Sequence, residues 1–356
     1  MSKSAADWWH GGPRVIKFML TAALGALALA GCGNAGPSNQ IQIVGSSTVY
    51  PFTTAVAERF VQMHPRFVSP IVESTGTGAG LKLFCNGVGN SYPDMANASR
   101  RIKAGELDSC RNNGVNRVIE VAVGIDGLVL IEARNGPAMN LTLADVYRAL
   151  AANPFGRPQT ARTWRDVNPA LLPIPIQLYG PPPTSGTRDS FAELVLEKGC
   201  DSDPAMKALK ERDADQHKQI CTKIREDGPF IEAGENDNLL VQKVSGNPGA
   251  LGVLGFSFLE ENLDRVKAVT INGVQPTVET ISNLTYPGAR QIYVYAKGEH
   301  IGVVPGMTEF LAEYARAWSP GGYLALRGLI PSPPQVRAQA LQAATALTPL
   351  DPAALK

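Results

Sequence analysis

The pattern of hydrophobic and polar positions along the chain predicts strands that are each followed by a helix. The short apolar run IQIVG at residues 41–45 is typical of a buried strand. Phe52, Val56 and Phe60 then recur at helical spacing, which predicts an amphipathic helix. The stretch FVSPIVEST, followed by GTGAGLKLFCNG, repeats this order of strand, glycine-rich turn and helix.

The alternation continues toward the C-terminus. TLADVYRALA predicts a helix, IPIQLYG a strand, and DSFAELVLEKG a helix with Gly199 at its end. We expect a helix, a turn and a strand in LLVQKVSGNPGALGVLGFSFLEE, a strand in RQIYVYAK, and helices in GMTEFLAEYARAWS and SPPQVRAQALQAATAL. The stretch VIEVAVGIDGLVLIEA at residues 118–133 is long enough to carry the chain between two lobes. These patterns predict an α/β fold whose sheets are covered by helices.

The first apolar segment of the chain has a different character. FMLTAALGALALAGC follows Arg14 and Lys17, and a charged region before an apolar run of about 7–15 residues is typical of a secretory signal. The sequence LAGC, which ends at Cys32, resembles a bacterial lipoprotein box, in which the cysteine is lipidated. The overlapping ALA at residues 28–30 also fits an ordinary cleavage site, so both kinds of processing stay open. We expect a signal peptide over residues 1–31 and a flexible tether over residues 32–40.

Composition and charge exclude one class of partner. The 356 residues are 44% hydrophobic and 18% charged, which suits a globular protein with a large core or two linked lobes. The chain has 33 basic and 32 acidic residues, and the predicted signal holds three of the former and one of the latter, so the exported part carries about −1. Nucleic-acid binding needs a basic surface, so we expect no nucleic-acid partner.

The cysteines agree with export. Besides Cys32 there are four: Cys85, Cys110, Cys200 and Cys221. An even number of cysteines in an exported chain predicts disulfides. Of the three possible pairings we favour the local one, Cys85 with Cys110 and Cys200 with Cys221, and free buried thiols are the alternative.

Three hydroxyl-rich turns carry the candidate chemistry. GSSTVYP at residues 45–51, STGTGAG at residues 74–80 and TSGTRDSF at residues 184–191 each lie between a predicted strand and a predicted helix. The first N–H groups of a helix have no internal partner and carry partial positive charge, so helix starts bind anions. Each turn alone is explained by N-capping and turn chemistry. Three together predict a donor-rich cage for a tetrahedral oxyanion.

Enzymatic activity is not expected. A secreted serine hydrolase needs a nucleophile elbow such as G-x-S-x-G with a histidine base, and the chain has no such elbow. The sequence holds no C-x-x-C. We expect the histidines of the exported part to lie far from the cysteines and from one another: His64, His217 and His300. We therefore expect neither a metal site nor a cofactor.

The order of motifs resembles a known family. GSST-x-x-P, STGTG-x-G-x-K, D-x-x-x-x-SR-x-I, W-x-x-V-x-P and SGTR-x-x-F follow one another between residues 41 and 330, as in the phosphate-type substrate-binding proteins of bacterial ABC importers. The resemblance implies a two-lobed α/β periplasmic-binding-protein fold (Venus-flytrap, type II) with hinge strands. Lobe 1 would comprise residues 41–128 and 265–345, and lobe 2 residues 129–264.

The resemblance also implies a function and a site. The protein would be a periplasmic or cell-surface monomer, lipid-anchored at Cys32, that captures inorganic phosphate and delivers it to a membrane permease without catalysis. The implied ligand-binding residues are Ser46, Ser47, Thr48, Thr77, Gly78, Ser99, Arg100, Ser185, Gly186, Thr187 and Arg188. Asp94 and Asp189 are candidate acceptors for a proton of the ligand.

Two departures from the family pattern leave the ligand open. Many relatives carry an arginine four residues before the serine of SGT, where this chain has Pro181, and some carry an aspartate where Ser99 stands. Arg100 and Arg188 are the candidates to replace the missing charge. The alternatives are a receptor of the same fold for sulfate, molybdate or arsenate, and a scavenger or sensor that works without a permease.

Overall fold

The computed structural model describes residues 39–234 and 236–355. The predicted signal peptide, the lipidation site at Cys32 and most of the predicted tether lie outside these residues. Within the described ranges, no helix has the length and apolar character needed to cross a membrane.

The secondary-structure elements are numbered in chain order. Strands β1 to β11 span Gln42–Gly45, Ile71–Ser74, Met95–Ala98, Val118–Ala133, Asn140–Leu141, Leu178–Gly180, Phe230–Glu232, Leu251–Gly255, Val266–Ala268, Thr270–Ile271 and Ala289–Lys297. Helices α1 to α14 span Tyr50–Met63, Thr77–Phe84, Ala104–Asn112, Leu143–Leu150, Trp164–Val167, Gly186–Phe191, Lys198–Cys200, Pro204–Arg212, Ala214–Thr222, Asp237–Ser245, Phe256–Glu260, Val278–Ser282, Met307–Ala317 and Pro334–Ala346. A π-helical segment, Ala192–Glu197, continues α6 into α7.

Most of the strands pair with one another in a single continuous sheet. Its order is β2-β1-β3-β11-β4-β8-β6-β7, and β9 also pairs with β4. Strand β1 is parallel to β2 and β3, and β6 is parallel to β7 and β8. Strands β4 and β11 are antiparallel to their neighbours. Parallel strands need long crossovers, usually helices, which explains the alternation seen in the sequence.

Strand β4 joins two hydrophobic cores. Its residues Ile119 and Val121 pack in the first core, whereas Leu128 and Ile131 pack in the second. The first part of the strand pairs with β11 and the last part with β8. The long apolar stretch therefore carries the chain from one lobe to the other, and the predicted two-lobed α/β fold is confirmed.

Contacts of the described residues favour a later return to the first lobe than the predicted boundary at residue 265. Strand β9 pairs with the second-lobe end of β4, and Ile281 and Tyr286 belong to the second core. Ile292 and Val294 of β11 pack in the first core. The division into lobes stays a proposal, and these contacts favour a return at β11.

The cysteines form the favoured disulfides, Cys85 with Cys110 and Cys200 with Cys221. The expectation that the histidines lie far from the cysteines is wrong for His217. One of its ring nitrogens and the sulfurs of Cys200 and Cys221 lie within 4.8 Å of one another. His217 lies four residues before Cys221 on α9, one helical turn away, and the disulfide brings Cys200 beside both.

Candidate functional site

The first-lobe motif residues meet at one edge of the sheet. Strands β1, β2 and β3 are parallel neighbours, so their carboxyl ends lie side by side. Ser46 follows β1, Thr77 begins the helix after β2, and Ser99 follows β3. The Ser99 N–H donates to Thr77 Oγ1 at 3.0 Å, and the two hydroxyl oxygens lie 2.8 Å apart. The parallel topology thus brings together motifs that are distant in the sequence.

The three helix starts differ in their caps. Helices α1 and α2 have no side-chain hydrogen bond at their N-caps, which are Val49 and Gly76. Helix α6 has an ordinary cap, because the Ser185 hydroxyl accepts from the Thr187 N–H at 3.2 Å. Uncapped helix starts retain their attraction for an anion. At α1 the Tyr50 N–H already donates to the Ser46 carbonyl at 3.0 Å and Pro51 has no N–H, so α2 offers the helix start best suited to a ligand.

The third motif lies across the cleft from the first. The Ser47 hydroxyl donates to Asp189, and the hydroxyl oxygens of Thr48 and Ser190 lie 3.1 Å apart. A Cβ atom on Gly186 would lie only 2.7 Å from the Ser47 carbonyl oxygen. The predicted site residues therefore also form the contact between the lobes.

Glycine in the first two motifs serves packing. A Cβ atom on Gly80 would lie 2.4 Å from the Gly45 Cα atom, so α2 packs directly on the end of β1. Gly78 is exposed, and a Cβ atom there would meet nothing within 4 Å. Gly45 and Gly80 therefore allow a close approach of helix and strand, whereas Gly78 has open space beside it.

Two cavities adjoin at Ser47 and Thr48. The smaller, of about 280 Å³, is lined among others by Ser46, Ser47, Thr48, Gly76, Thr77, Arg188, Asp189, Glu193 and Lys218. The larger, of about 450 Å³, is lined among others by Ser47, Thr48, Asp126, Ser185, Gly186, Thr187, Ser190 and Asp237. The smaller cavity covers the uncapped start of α2, whereas the first residues of α1 line the larger cavity. Burial raises the pKa of Asp237 to about 6, so the larger cavity loses negative charge in mild acid.

An arginine between the two lobes was not predicted from the sequence. Arg290, at the start of β11, donates to Thr48 Oγ1 at 2.8 Å and to Ser190 Oγ at 2.7 Å. It also donates to Asp126 Oδ2 at 3.2 Å and to Glu193. Its partners come from both lobes and from β4. The available signal was a charged residue near the start of an otherwise apolar predicted strand.

Arg100 is already paired with a carboxylate of α3. It forms two hydrogen bonds with Glu106, at 2.9 and 2.8 Å, and a third with the Arg101 carbonyl at 3.1 Å. The hydrogen bond to Glu106 raises the pKa of the Arg100 guanidinium. Its charge is therefore shared with Glu106 at the start of α3, and its contact with a ligand stays a prediction.

Arg188 holds the proline loop. Its guanidinium donates to the Pro181 carbonyl at 3.0 Å, lies 3.5 Å from a Glu232 oxygen and lies 4.1 Å from the centre of the Phe230 ring. Burial lowers its pKa, an effect that the nearby Glu232 opposes. Arg188 lines the smaller cavity, but its contacts fix the loop that presents Ser185.

Asp94 is not at the site. It precedes β3, so it lies at the opposite end of that strand from Ser99. Its carboxylate accepts from the Gln42 N–H at 2.7 Å and lies 2.6 Å from His300 Nδ1. The prediction that Asp94 accepts a proton of the ligand is wrong on this geometry, whereas Asp189 does line the cleft.

Comparison with known proteins gives consistent results. A family model described as a PBP superfamily domain matches residues 33–317. Protein SphX of Synechococcus elongatus is 36% identical over 70% of this chain and 66% of its own length. Phosphate-binding protein PstS of Staphylococcus saprophyticus is 26% identical over 86% of this chain and 88% of its own length.

A solved structure extends the similarity to three dimensions. It is that of a possible phosphate binding protein from Planctomyces limnophilus, with a TM-score of 0.69 and 29% identity. The match covers 87% of this chain and 99% of that structure. The similarity therefore includes both lobes and the cleft between them.

Proposed function

The chain belongs to the PBP superfamily, and from that premise we propose that it captures inorganic phosphate between its lobes and delivers it to an ABC-importer permease. The family consists of non-enzymatic substrate-binding proteins. Similar proteins are named for phosphate binding, including the Staphylococcus protein and the Planctomyces structure.

The observation that carries the proposal is the meeting of three hydroxyl-rich turns around one small cavity. The uncapped start of α2 supplies backbone N–H groups, and Ser47, Thr48 and Thr77 supply hydroxyls beside it. Such donors can replace the hydration of a tetrahedral anion without a basic protein surface. We include Ser46, Ser99 and the 185–187 turn among the ligand donors.

Calorimetric titration of the exported chain with phosphate, arsenate, sulfate and molybdate tests this function. We expect saturable one-to-one binding of phosphate and arsenate, and much weaker binding of the other two ions. Ser47→Ala and Thr77→Ala should each weaken phosphate binding by about 1–3 kcal/mol, because each removes a hydrogen bond to a charged ligand. Ser109→Ala, on the exposed face of α3, is the control and should change nothing.

Two outcomes would contradict the proposal. A wild-type chain that binds no phosphate would exclude a phosphate receptor. Equal binding of sulfate would instead indicate a receptor for fully ionised oxyanions.

We further propose that the exported protein is a monomer anchored outside the cytoplasm through a lipid on Cys32. The extracytoplasmic location accords with the two disulfides. Metabolic labelling with palmitate should mark the wild type and not Cys32→Ala. Labelling that survives this substitution would exclude the anchor.

A further inference from the structure

We propose that Glu193 is the carboxylate that accepts the proton of the bound oxyanion, and that Arg290 positions it. The inference rests on the proposed function and specifies the ligand class. An ionised carboxylate can only accept hydrogen bonds. A cavity that contains it therefore favours ligands with a hydroxyl, such as hydrogen phosphate and hydrogen arsenate, over fully ionised sulfate and molybdate.

Glu193 connects the motifs of the two lobes. It belongs to the second lobe and lines the smaller cavity, yet its Oε2 accepts from the Ser99 hydroxyl of the first lobe at 3.2 Å. Ser99 in turn bonds Thr77 at the start of α2. About 40% of the Glu193 side chain is exposed, so a small ion in the cavity can reach it. The carboxylate thus lies beside the uncapped helix start.

Arg290 holds this carboxylate in place. Its side chain is about 10% exposed, and it donates to Glu193, Thr48 and Ser190 together. The planar guanidinium fixes several acceptors in one geometry, which a flexible lysine ammonium does not do. Arg290 itself lines neither of the two cavities, so we assign it a positioning role.

The backbone around Glu193 is also unusual. It lies in the π-helical segment Ala192–Glu197, and such segments occur frequently at functional sites. The segment continues the helix that begins at Gly186, so one element carries both the third motif and the carboxylate.

Two other carboxylates of the cleft have different surroundings. Asp189 accepts from Ser47 within the first turn of α6, and Asp126 lines the larger cavity and accepts from Ser190 at 3.1 Å. Neither contacts the Thr77 and Ser99 cluster. Asp189→Asn and Asp126→Asn are therefore the matched comparisons for Glu193→Gln.

The decisive measurement is the ratio of the dissociation constants for sulfate and phosphate at pH 7, because this ratio is insensitive to a general loss of folding. Glu193→Gln should lower the phosphate preference by at least about tenfold, since the amide can donate to sulfate. Glu193→Asp keeps a carboxylate and should retain most of the preference. Arg290→Lys should lower phosphate affinity and shift the ratio toward that of Glu193→Gln.

The outcomes separate this inference from the proposed function. An unchanged ratio in Glu193→Gln overturns the inference, and a lowered ratio in Asp189→Asn or Asp126→Asn then identifies the acceptor. Absence of phosphate binding by the wild type would contradict the proposed function itself. Thermal melting of each variant shows that the affinities belong to folded protein.

Discussion

Charged side chains lie at both ends of strand β3, but their surroundings differ. At the carboxyl end, Ser99 bonds Glu193, and Arg290 donates to acceptors from both lobes. At the amino end, Asp94 bonds His300 at 2.6 Å within the first lobe. The nearby Lys297 is fully buried, and its Nζ has no hydrogen-bond partner among the described residues.

The difference follows from topology. The carboxyl ends of parallel strands face the helix starts and, in this fold, the opposite lobe, so polar groups there are available to a ligand. At the amino end of β3, the contacts come from other side chains of the first lobe. There Lys297 lies 5.1 Å from the ring centre of Phe84 and 5.5 Å from that of Tyr92. Charged residues thus lie in the proposed binding cleft at one end of the strand and pack within one lobe at the other.

The largest effect on stability is expected from a substitution at the carboxyl end of β3. Arg290→Met removes the cation that faces Asp126 and Glu193, both of which are partly buried. We expect the free energy of unfolding to fall by about 2–4 kcal/mol, below the range for a fully buried pair, and phosphate affinity to fall as well. Urea denaturation and calorimetry measure the two effects. Arg66→Met, which breaks the exposed pair with Glu309, is the control, and an equal effect there would contradict the prediction.

Replacing Lys297 is expected to change the free energy of unfolding in the opposite direction. Burial lowers its pKa from the ordinary 10.5 to about 8. Below pH 8 the lysine is charged in both folded and unfolded states, and the cost of burial is fully present. Between pH 8 and 10.5 the folded state loses the proton first, so stability rises with pH.

Lys297→Met should therefore raise the free energy of unfolding at pH 7 by about 1–3 kcal/mol, because the lost cation–π contacts offset part of the gain. The rise in stability between pH 8 and 10.5 should disappear in this variant. Urea denaturation at pH 7 and at higher pH measures both effects. The control is Lys82→Met on the exposed face of α2, and a variant curve that still rises with pH would contradict the assignment.

The smallest effect is expected for Asp94→Asn. The carboxylate accepts from the Gln42 N–H and from His300, whose Nε2 accepts from the Gly89 N–H at 2.9 Å and whose Nδ1 therefore donates. An amide can replace only one of the two acceptors. We expect a loss of about 1–2 kcal/mol in stability and unchanged phosphate affinity. Asp108→Asn is an exposed control, and a weakened affinity in Asp94→Asn would return this residue to the site.

Much of the local structure was predictable because it depends on neighbours in the sequence. The periodicity of Phe52, Val56 and Phe60 marks α1, and the apolar stretch at residues 118–133 is strand β4. The local cysteine pairing was predicted as well. Helices α8 and α9 were not predicted, because their polar segments show weak periodicity and are held between Cys200 and Cys221.

The chain by itself determined the three hydroxyl-rich turns, since a strand, a turn and a helix start are all encoded within a few residues. Tertiary structure decided which charges accompany them. Arg100 is beside Ser99 in sequence but pairs with Glu106, whereas Arg290 enters the cleft from β11, far along the chain. Strand pairing and lobe contact set these partners, and neither leaves a local pattern in the sequence. The hydroxyl and N–H donors of the proposed phosphate site can therefore be predicted from the motifs, whereas the charged residues around the site depend on the fold.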